Sequence, residues 1–408
     1  MPYDLSDPVT LPCGLVLANR LAKAAMSERL ADAAGSPVTG HETLYRTWGQ
    51  GGAALLISGH VIIDDRHRAE PGNVVVEDDR HLDALRRWAD AAHDGEAHLW
   101  MQVNHPGRQA PRIVDRQPVA PSAVQLDLAP GVFATPRALD HEEVEEIIER
   151  FAATALVAER AGFRGVQIHA AHGYLISQFL SPRTNQRDDA WGGDDERRRA
   201  FLVAIVRSVR GAVGRNFAVG VKLNSADFQR GGFSEEASMA VVATLDREGV
   251  DLIEVSGGTY EAAAMFRESH PGDPRTAARE AFFIDYAARV RRYTTVPIML
   301  TGGFRSHAGM DGALDDGATD LIGLARPLAL EPDLPARLLR GDSAAAREVR
   351  LRSGWKKLDA LVQGSWYQLQ IARLAAGKPT DPGLSRVRAL WHAAFQRPAS
   401  GRGTNAND

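Results

Sequence analysis

The run Ile168-His169-Ala170-Ala171-His172-Gly173-Tyr174-Leu175 follows directly on an apolar, strand-like stretch, Gly165-Val166-Gln167. Two imidazoles three residues apart can face one pocket and donate hydrogen bonds to a single oxygen. Tyr174, two residues on, adds a phenol. Phenols titrate near pH 10 (about three units above neutrality), so at pH 7 such a group is a proton donor. The plainer alternative is two loop histidines and a core tyrosine. A His-x-x-His metal site is a poorer reading, because no third ligand lies nearby and the spacing is not that of the helical HExxH motif.

Four further stretches carry chemistry. In Val296-Pro297-Ile298-Met299-Leu300-Thr301-Gly302-Gly303-Phe304 an apolar strand ends in two glycines, and Ser306 stands where it can cap a following helix. Glycines there let backbone N–H groups approach an anion, although a tight turn alone would explain them equally well. Asp320-Leu321-Ile322-Gly323-Leu324-Ala325-Arg326-Pro327 is another strand, ending in an arginine that is either a solvated charge or a phosphate ligand. In Gln102-Val103-Asn104-His105-Pro106-Gly107-Arg108 the amide of Gln102 offers a donor and an acceptor, suited to the edge of a planar amide-like ring. Lys222, within Val221-Lys222-Leu223-Asn224, needs an anionic partner if it lies inside an apolar strand. That partner is either a ligand or a carboxylate on a barrel floor.

The elements that must position these residues alternate regularly. Strands are expected at Leu21–Ala25, Ala54–Ser58, His98–Val103, Gly165–His169, Ala218–Leu223, Leu252–Val255, Pro297–Leu300 and Leu321–Leu324. Most are continuous apolar runs, as in parallel strands buried on both faces. Helices are expected at His81–His93, Glu142–Arg160, Arg197–Val213, Glu235–Glu248, Phe282–Tyr293 and His307–Asp316. Asp140 and Glu143 stand as N-cap and N3 of the second of these, and Gly162 closes it. Eight strands alternating with helices predict a (β/α)8 TIM barrel of α/β class, with chemistry at the C-terminal ends of the strands. The glycines and the arginine then fall after strands seven and eight, where barrels often bind phosphate. The rival doubly wound sheet lacks its fingerprint. Gly49-x-Gly51-x-x-Ala54 precedes a strand instead of following one and reads as a helix stop. The domain is expected to span residues 1–340. The Pro-rich stretch Asn104–Leu139 would be an insertion over the mouth. Residues 341–400 would be a helical extension bearing Trp355, Trp366 and Tyr367, and Gly401–Asp408 a frayed tail.

Composition narrows the partners. Lys and Arg number 48 against 52 Asp and Glu, a net charge of −4, which disfavours a polyanionic partner such as nucleic acid. Hydrophobic residues at 44% and charged residues at 25% exclude a largely disordered chain. The single cysteine, Cys13, cannot form an internal disulfide or a Cys-ligated iron–sulfur cluster. The N-terminus carries no basic run followed by an apolar one, and apolar stretches such as Phe201–Val206 are far shorter than a membrane span. A reducing cytoplasm, a small-molecule substrate and a possible homo-oligomer are the expectation.

Taken together these blocks resemble the Old Yellow Enzyme family of FMN-dependent ene-reductases. The resemblance runs from Leu17-Ala18-Asn19-Arg20 to Arg326, about four-fifths of the chain. Its most specific part begins at Ala161-Gly162-Phe163, passes through IHAAHGYLISQFLSPRTNQRDDAWGG and ends with ERRRAF. It implies FMN as cofactor, NADH or NADPH as hydride donor, and reduction of the C=C bond of α,β-unsaturated carbonyl compounds. His169 and His172 match the pair that holds the substrate carbonyl, and Tyr174 the proton donor. Gln102 matches the residue on the flavin pyrimidine edge. Lys222 stands where Arg is usual beside N1 and C2=O. Gly302, Gly303 and Arg326 fall at the phosphate, with Ala325 where Gly is common. Ala25, Met26 and Ser27 follow the first strand near C4=O and N5, Ala25 in place of Pro and Ser27 in place of Thr or Cys. Gly59, or its neighbour His60, ends strand two near the ring. Arg197 replaces the usual Asn after Glu196. Amine demethylation or nitroester reduction on the same barrel is the alternative, with Arg279 to Phe283 bearing on the choice. A flavin-free lyase or isomerase, or a non-catalytic binding protein, is a more distant one.

Overall fold

The computed structural model describes residues 3–128, 131–259, 261, 283–349, 351 and 356–395. Trp355, the segment from Arg279 to Phe282 and the tail Gly401–Asp408 lie outside them. Eight parallel strands close a barrel: β1 (Leu21–Lys23), β2 (Leu55–Ile62), β3 (His98–Asn104), β4 (Gly165–Ala170), β5 (Ala218–Asn224), β6 (Leu252–Ser256), β7 (Ile298–Thr301) and β8 (Leu321–Leu324). Closure is made by β8 on β1, with Ile322 opposite Leu21.

The strands read as unbroken apolar runs, but the barrel sorts their residues by parity. One set points outward and packs beneath the helices, including Leu21, Leu56, Leu99, Met101, Val166, Ile168, Val219, Ile253, Leu300 and Ile322. The other set points inward and fills the floor: Ala22, Leu55, Ile57, Trp100, Ala218, Leu252, Met299 and Leu321. Trp100 is the plug. A Cβ on Gly220 would lie 2.7 Å from Trp100 Cζ3, and one on Gly165 2.9 Å from Trp100 Cε2, so both neighbours must be glycine to admit the indole. Further along the same inward rows the residues turn polar, with Gln102, Gln167, Lys222 and Glu254 all buried.

Around the barrel, the described helices include α1 (Thr39–Gly49), α2 (Leu82–His93), α3 (His141–Arg160), α4 (Asp195–Ala212), α5 (Glu235–Arg247), α6 (Ile284–Val290), α7 (His307–Asp315) and α8 (Arg326–Leu330), with shorter turns of helix at Leu175–Leu180 and Leu334–Leu339. Asp140 and Glu143 form the expected capping box on α3. Each accepts the other's backbone N–H at 2.9 Å, an arrangement whose N-cap alone is worth about 1 kcal/mol. Gly162 ends α3 at φ +90°, and Ser306 caps α7 by accepting the Gly309 N–H at 3.1 Å. α3 buries Val144, Ile147, Ile148 and Phe151 against the barrel, each contributing roughly 1.5–3 kcal/mol.

Three irregularities shape the mouth. The register of β2 on β3 shifts between Ile57 and His60. At that shift the buried Lys23 donates from Nζ to the Ile57 carbonyl at 2.7 Å. Its burial lowers its pKa to about 8. The segment between β3 and α3 carries a short two-stranded sheet, Val119–Ala120 with Arg137–Ala138. It is anchored by Arg108, which pairs with Glu261 beyond β6 at 2.6 Å. Finally α9 (Lys356–Ala375) and α10 (Arg386–Phe395) pack together around the fully buried Trp366. Trp366 Nε1–H donates to the Leu384 carbonyl at 3.0 Å, and Gln368 donates to the Glu28 carbonyl at 2.6 Å, so α9 lies across the C-terminal end of the barrel. Among the described residues no helix is long and apolar enough to cross a membrane.

Candidate active site

A cavity of about 830 Å³ opens at the C-terminal ends of the strands. That is large for a drug-sized pocket, which spans roughly 300–1,000 Å³. Ala25, Met26, Ser27, Gln102, His169, His172, Tyr174, Lys222, Gly302, Gly303, Ala325 and Arg326 all line it. Gly59 does not. Its N–H donates to Glu28 Oε1 at 2.8 Å, and a Cβ there would meet Glu28 Oε2 at 2.0 Å. The shifted register of β2 brings His60 to the cavity in its place.

At the end of β4, His169, His172 and Tyr174 form one cluster. The ring centroids of His169 lie 5.2 Å from His172 and 4.9 Å from Tyr174, both edge to face. His60 approaches Tyr174 edge-on at 5.4 Å. His172 takes φ +61°, a left-handed conformation that turns the chain back at the strand end, and its N–H donates to Asn224 Oδ1 at 3.1 Å. Burial pushes the pKa of both histidines well below the usual value, and the charge of Lys222 adds to the effect. Both rings are therefore neutral at pH 7. The Ala171 N–H donates to His169 Nδ1 at 3.3 Å, which leaves the ring proton of His169 on Nε2. His172 Nε2 and Ser256 Oγ share a hydrogen bond of 2.8 Å.

The floor of the cavity is a buried polar chain. Gln102 Nε2 donates to Gln167 Oε1 at 2.7 Å, Gln167 Nε2 to Glu254 Oε2 at 2.7 Å, and Lys222 Nζ to Glu254 Oε1 at 2.8 Å. Lys222 thus has the floor carboxylate that its burial requires, and it also faces the cavity. On the opposite wall Ser27 Oγ–H donates to Glu70. Glu70 is further held by Arg29 Nε at 2.8 Å and His60 Nε2 at 3.3 Å. Burial alone would raise the Glu70 pKa, but the His60 hydrogen bond and the Arg29 charge outweigh it and hold the carboxyl below its usual range. Sequence reasoning missed Arg29 and Glu70, because a loop arginine and glutamate carry no periodicity to separate them from surface charges. The roof belongs to the expected helical extension, but of its cavity-lining residues Leu361, Gln363, Gly364, Tyr367 and Ile371 on α9 only Tyr367 stood out in the sequence.

Beyond β7 and β8 the wall suits a phosphate. Thr301 Oγ1 is buried without a hydrogen-bond partner, and Gly302 and Gly303 follow it at φ +117° and +99°. Arg305 and Arg326 line the same end, with Arg326 Nη1 donating to Gln363 Oε1 at 3.0 Å. An orphaned hydroxyl, two backbone units only glycine adopts readily and two guanidinium groups fit the phosphate of a mononucleotide. A donor–acceptor amide and an ammonium on the floor fit a pyrimidine edge. The residues present fit FMN. A separate trio, Asp64, His67 and His105, is close enough to share a cation; Asp64 and His67 already pair with protein groups, while His105 Nε2 is buried without a hydrogen-bond partner. Arg66 clamps Asp64, Asp115 accepts from His67 at 2.7 Å, and the Gly107 N–H donates to His105 Nδ1.

The class defined by this barrel and its cavity is the flavin-dependent oxidoreductase. The profile of the NADH:flavin oxidoreductase / NADH oxidase family matches residues 4–343. The chain belongs to that family, the Old Yellow Enzyme family, whose cofactor is FMN. It is 39% identical over 359 residues to the NADH-dependent flavin oxidoreductase iliE of Hypocrea jecorina (strain QM6a), covering 82% of this chain and 88% of that one. It is 31% identical over 330 residues to the NADH oxidase of Thermoanaerobacter brockii, covering 80% of this chain and 49% of that longer one. Among solved structures, morphinone reductase superposes with a TM-score of 0.70 at 25% identity, over 86% of this chain and 92% of that one. Membership sets aside the flavin-free lyase and isomerase readings.

Proposed function

We propose that the enzyme uses NADH to reduce the C=C bond of α,β-unsaturated carbonyl compounds. The observation that carries this reading is the cluster of two neutral histidines and a tyrosine on one wall of the cofactor cavity. FMN, when bound, supplies the hydride chemistry. Gln102 and Lys222 would hold its pyrimidine edge, Met26 and Ser27 its C4=O side, and Gly303 and Arg326 its phosphate. His169 would donate from Nε2–H to the substrate carbonyl. With Ser256 donating its hydroxyl proton to His172 Nε2, the Nδ1–H of His172 would serve as the second donor. Uncharged donors polarise the carbonyl as negative charge builds on oxygen, and they do not bind resting anions as tightly as imidazolium would. Tyr174 would deliver its proton to the α-carbon. The aromatic and aliphatic groups Phe283, Tyr367, Ile371 and Leu390 on the cavity wall suit an apolar enone skeleton.

The two half-reactions separate the roles. Flavin reduction by NADH needs no proton from Tyr174, whereas reduction of a simple cyclic enone does. Tyr174→Phe is expected to leave the first rate nearly unchanged and to slow the second by about 10²–10⁴. Stopped-flow traces of each half-reaction, recorded anaerobically, make the measurement. Equal slowing of both halves, or of neither, rules out Tyr174 as the proton donor. Nitroalkenes are poor probes, since their anionic products leave without an enzymic acid.

A further inference from the structure

The floor chain has a direction that its chemistry dictates. Glu254 receives a hydrogen bond on each oxygen, from Lys222 on Oε1 and from Gln167 on Oε2. A carboxylate can only accept, so Gln167 must turn its NH₂ toward Glu254 and its Oε1 toward Gln102. Gln102 must then turn its own NH₂ toward Gln167, as it does at 2.7 Å. What Gln102 presents to the cavity is therefore its Oε1 and the second amide hydrogen. The chain is withdrawn from bulk solvent, with Gln167 and Glu254 0% exposed and Gln102 2%. Strand pairing holds the chain in place, with Gln102 opposite Gln167 on β3 and β4 and Lys222 opposite Glu254 on β5 and β6.

We infer that Glu254 is a positioning residue that sets two properties of the cofactor site by two separate routes. Through Gln167 it fixes the hydrogen-bond polarity of Gln102, and through Lys222 it sets the charge at the cavity floor. Glu254 and Gln167 do not line the cavity themselves. The inference rests on the flavin-binding reading of that cavity. A flavin pyrimidine edge offers an N–H at N3 flanked by two carbonyl oxygens. An amide presenting one acceptor and one donor matches N3–H and a neighbouring carbonyl, whereas the reversed amide would set N–H against N–H. On the second route, the negative charge of Glu254 offsets part of the Lys222 ammonium. Its presence keeps the flavin harder to reduce than an unopposed ammonium would.

The test uses the full-length holoenzyme and two readouts, the FMN dissociation constant and the midpoint potential of bound FMN measured by dye equilibration. Glu254→Gln keeps the shape, removes the charge and lets residue 254 donate as well as accept. It is expected to raise the midpoint potential and weaken FMN binding. Gln167→Leu cuts only the glutamine route. It is expected to weaken FMN binding roughly tenfold, the size of one lost buried hydrogen bond, with the potential unchanged. A wild-type potential in Glu254→Gln overturns the charge route, even if thermal stability falls, since a purely structural role would lower stability alone. Unchanged FMN affinity in Gln167→Leu, or a potential shift there as large as in Glu254→Gln, overturns the polarity route. If Glu254→Gln does not fold, Glu254→Met takes its place for the charge route, with the same expected rise in potential and the same overturning result, and Gln167→Leu decides the polarity route by its FMN affinity. Failure of the flavin reading itself would show earlier, as wild-type protein that binds no FMN.

Discussion

The neutrality of His169 and His172 has a thermodynamic signature. Burial holds their pKa values in the folded protein well below the ordinary value of about 6.5 that they recover on unfolding. As pH falls through 6.5 the unfolded chain binds protons that the folded chain refuses, so stability is lost toward acid. Each such histidine contributes a slope of up to about 1.4 kcal/mol per pH unit below 6.5 and none above it. Thermal unfolding midpoints are therefore expected to fall between pH 7 and pH 5, and His169→Asn to flatten that fall. A midpoint independent of pH across this window, or an unaltered slope in the variant, would contradict the buried neutral state. Glu70, held ionised below its usual range, adds its own loss only near and below about pH 4.5, so between pH 7 and pH 5 the histidines act without it. At this scale the sequence was informative where a cavity-lining residue lies near the C-terminal end of a strand, as His169 and Lys222 do. It was silent where the backbone departs from regular pairing. Strict alternation cannot tell Gly59 from His60, because the shift in β2 reverses which of them faces inward.

Among the elements, the strands were legible to within a few residues, because apolar runs bounded by Gly, Asp and Asn mark them clearly. The α3 capping box and the α7 cap were legible for the same reason: a short-range hydrogen bond leaves its donor and acceptor three residues apart. Helix α1 was not expected. Its N-cap, Val38, has no side-chain acceptor for an N–H, and although His41, Leu44, Tyr45 and Trp48 fall at helical spacing on one buried face, the polar ring of His41 and the glycines Gly40 and Gly49 mask that stripe in the sequence. The roof was legible only as an aromatic-bearing helix, since a contact such as Gln368 with Glu28, 340 positions apart, leaves no local trace. The energetics of that roof rest on Trp366, which is fully buried and donates to the Leu384 carbonyl. Trp366→Ala should cost about 3–5 kcal/mol, enough to undock α9 and α10 without opening the barrel. The expected result is faster release of FMN, followed by the recovery of free flavin fluorescence, with the far-ultraviolet signal of the barrel largely kept. Unchanged release kinetics would show that α9 does not close the cofactor end.

Over the whole molecule, one barrel serves two solvents. Its lower interior is dry and packed around Trp100, and its upper interior is polar and lined for a ligand. The boundary lies within single strands: Trp100 and Gln102 are two residues apart on β3, and Gly220 and Lys222 two apart on β5. Anything that lifts the floor therefore moves the cofactor bed. Gly220→Ala would press a Cβ to 2.7 Å from the indole, and overpacking of that kind costs about 1–3 kcal/mol. Trp100→Phe alone leaves a void. Combined, the two are expected to recover part of both losses, giving a coupling energy of about 0.5–3 kcal/mol in a double-mutant cycle of denaturant midpoints. Strict additivity would show that the indole and the glycine do not share one space. For a lineage carrying this barrel the consequence is historical. Because the Trp100 indole would meet a Cβ on Gly220, the two positions are expected to change together or not at all. A descendant that shrinks the first gains room to enlarge the second, while one that enlarges the second first passes through a less stable ancestor.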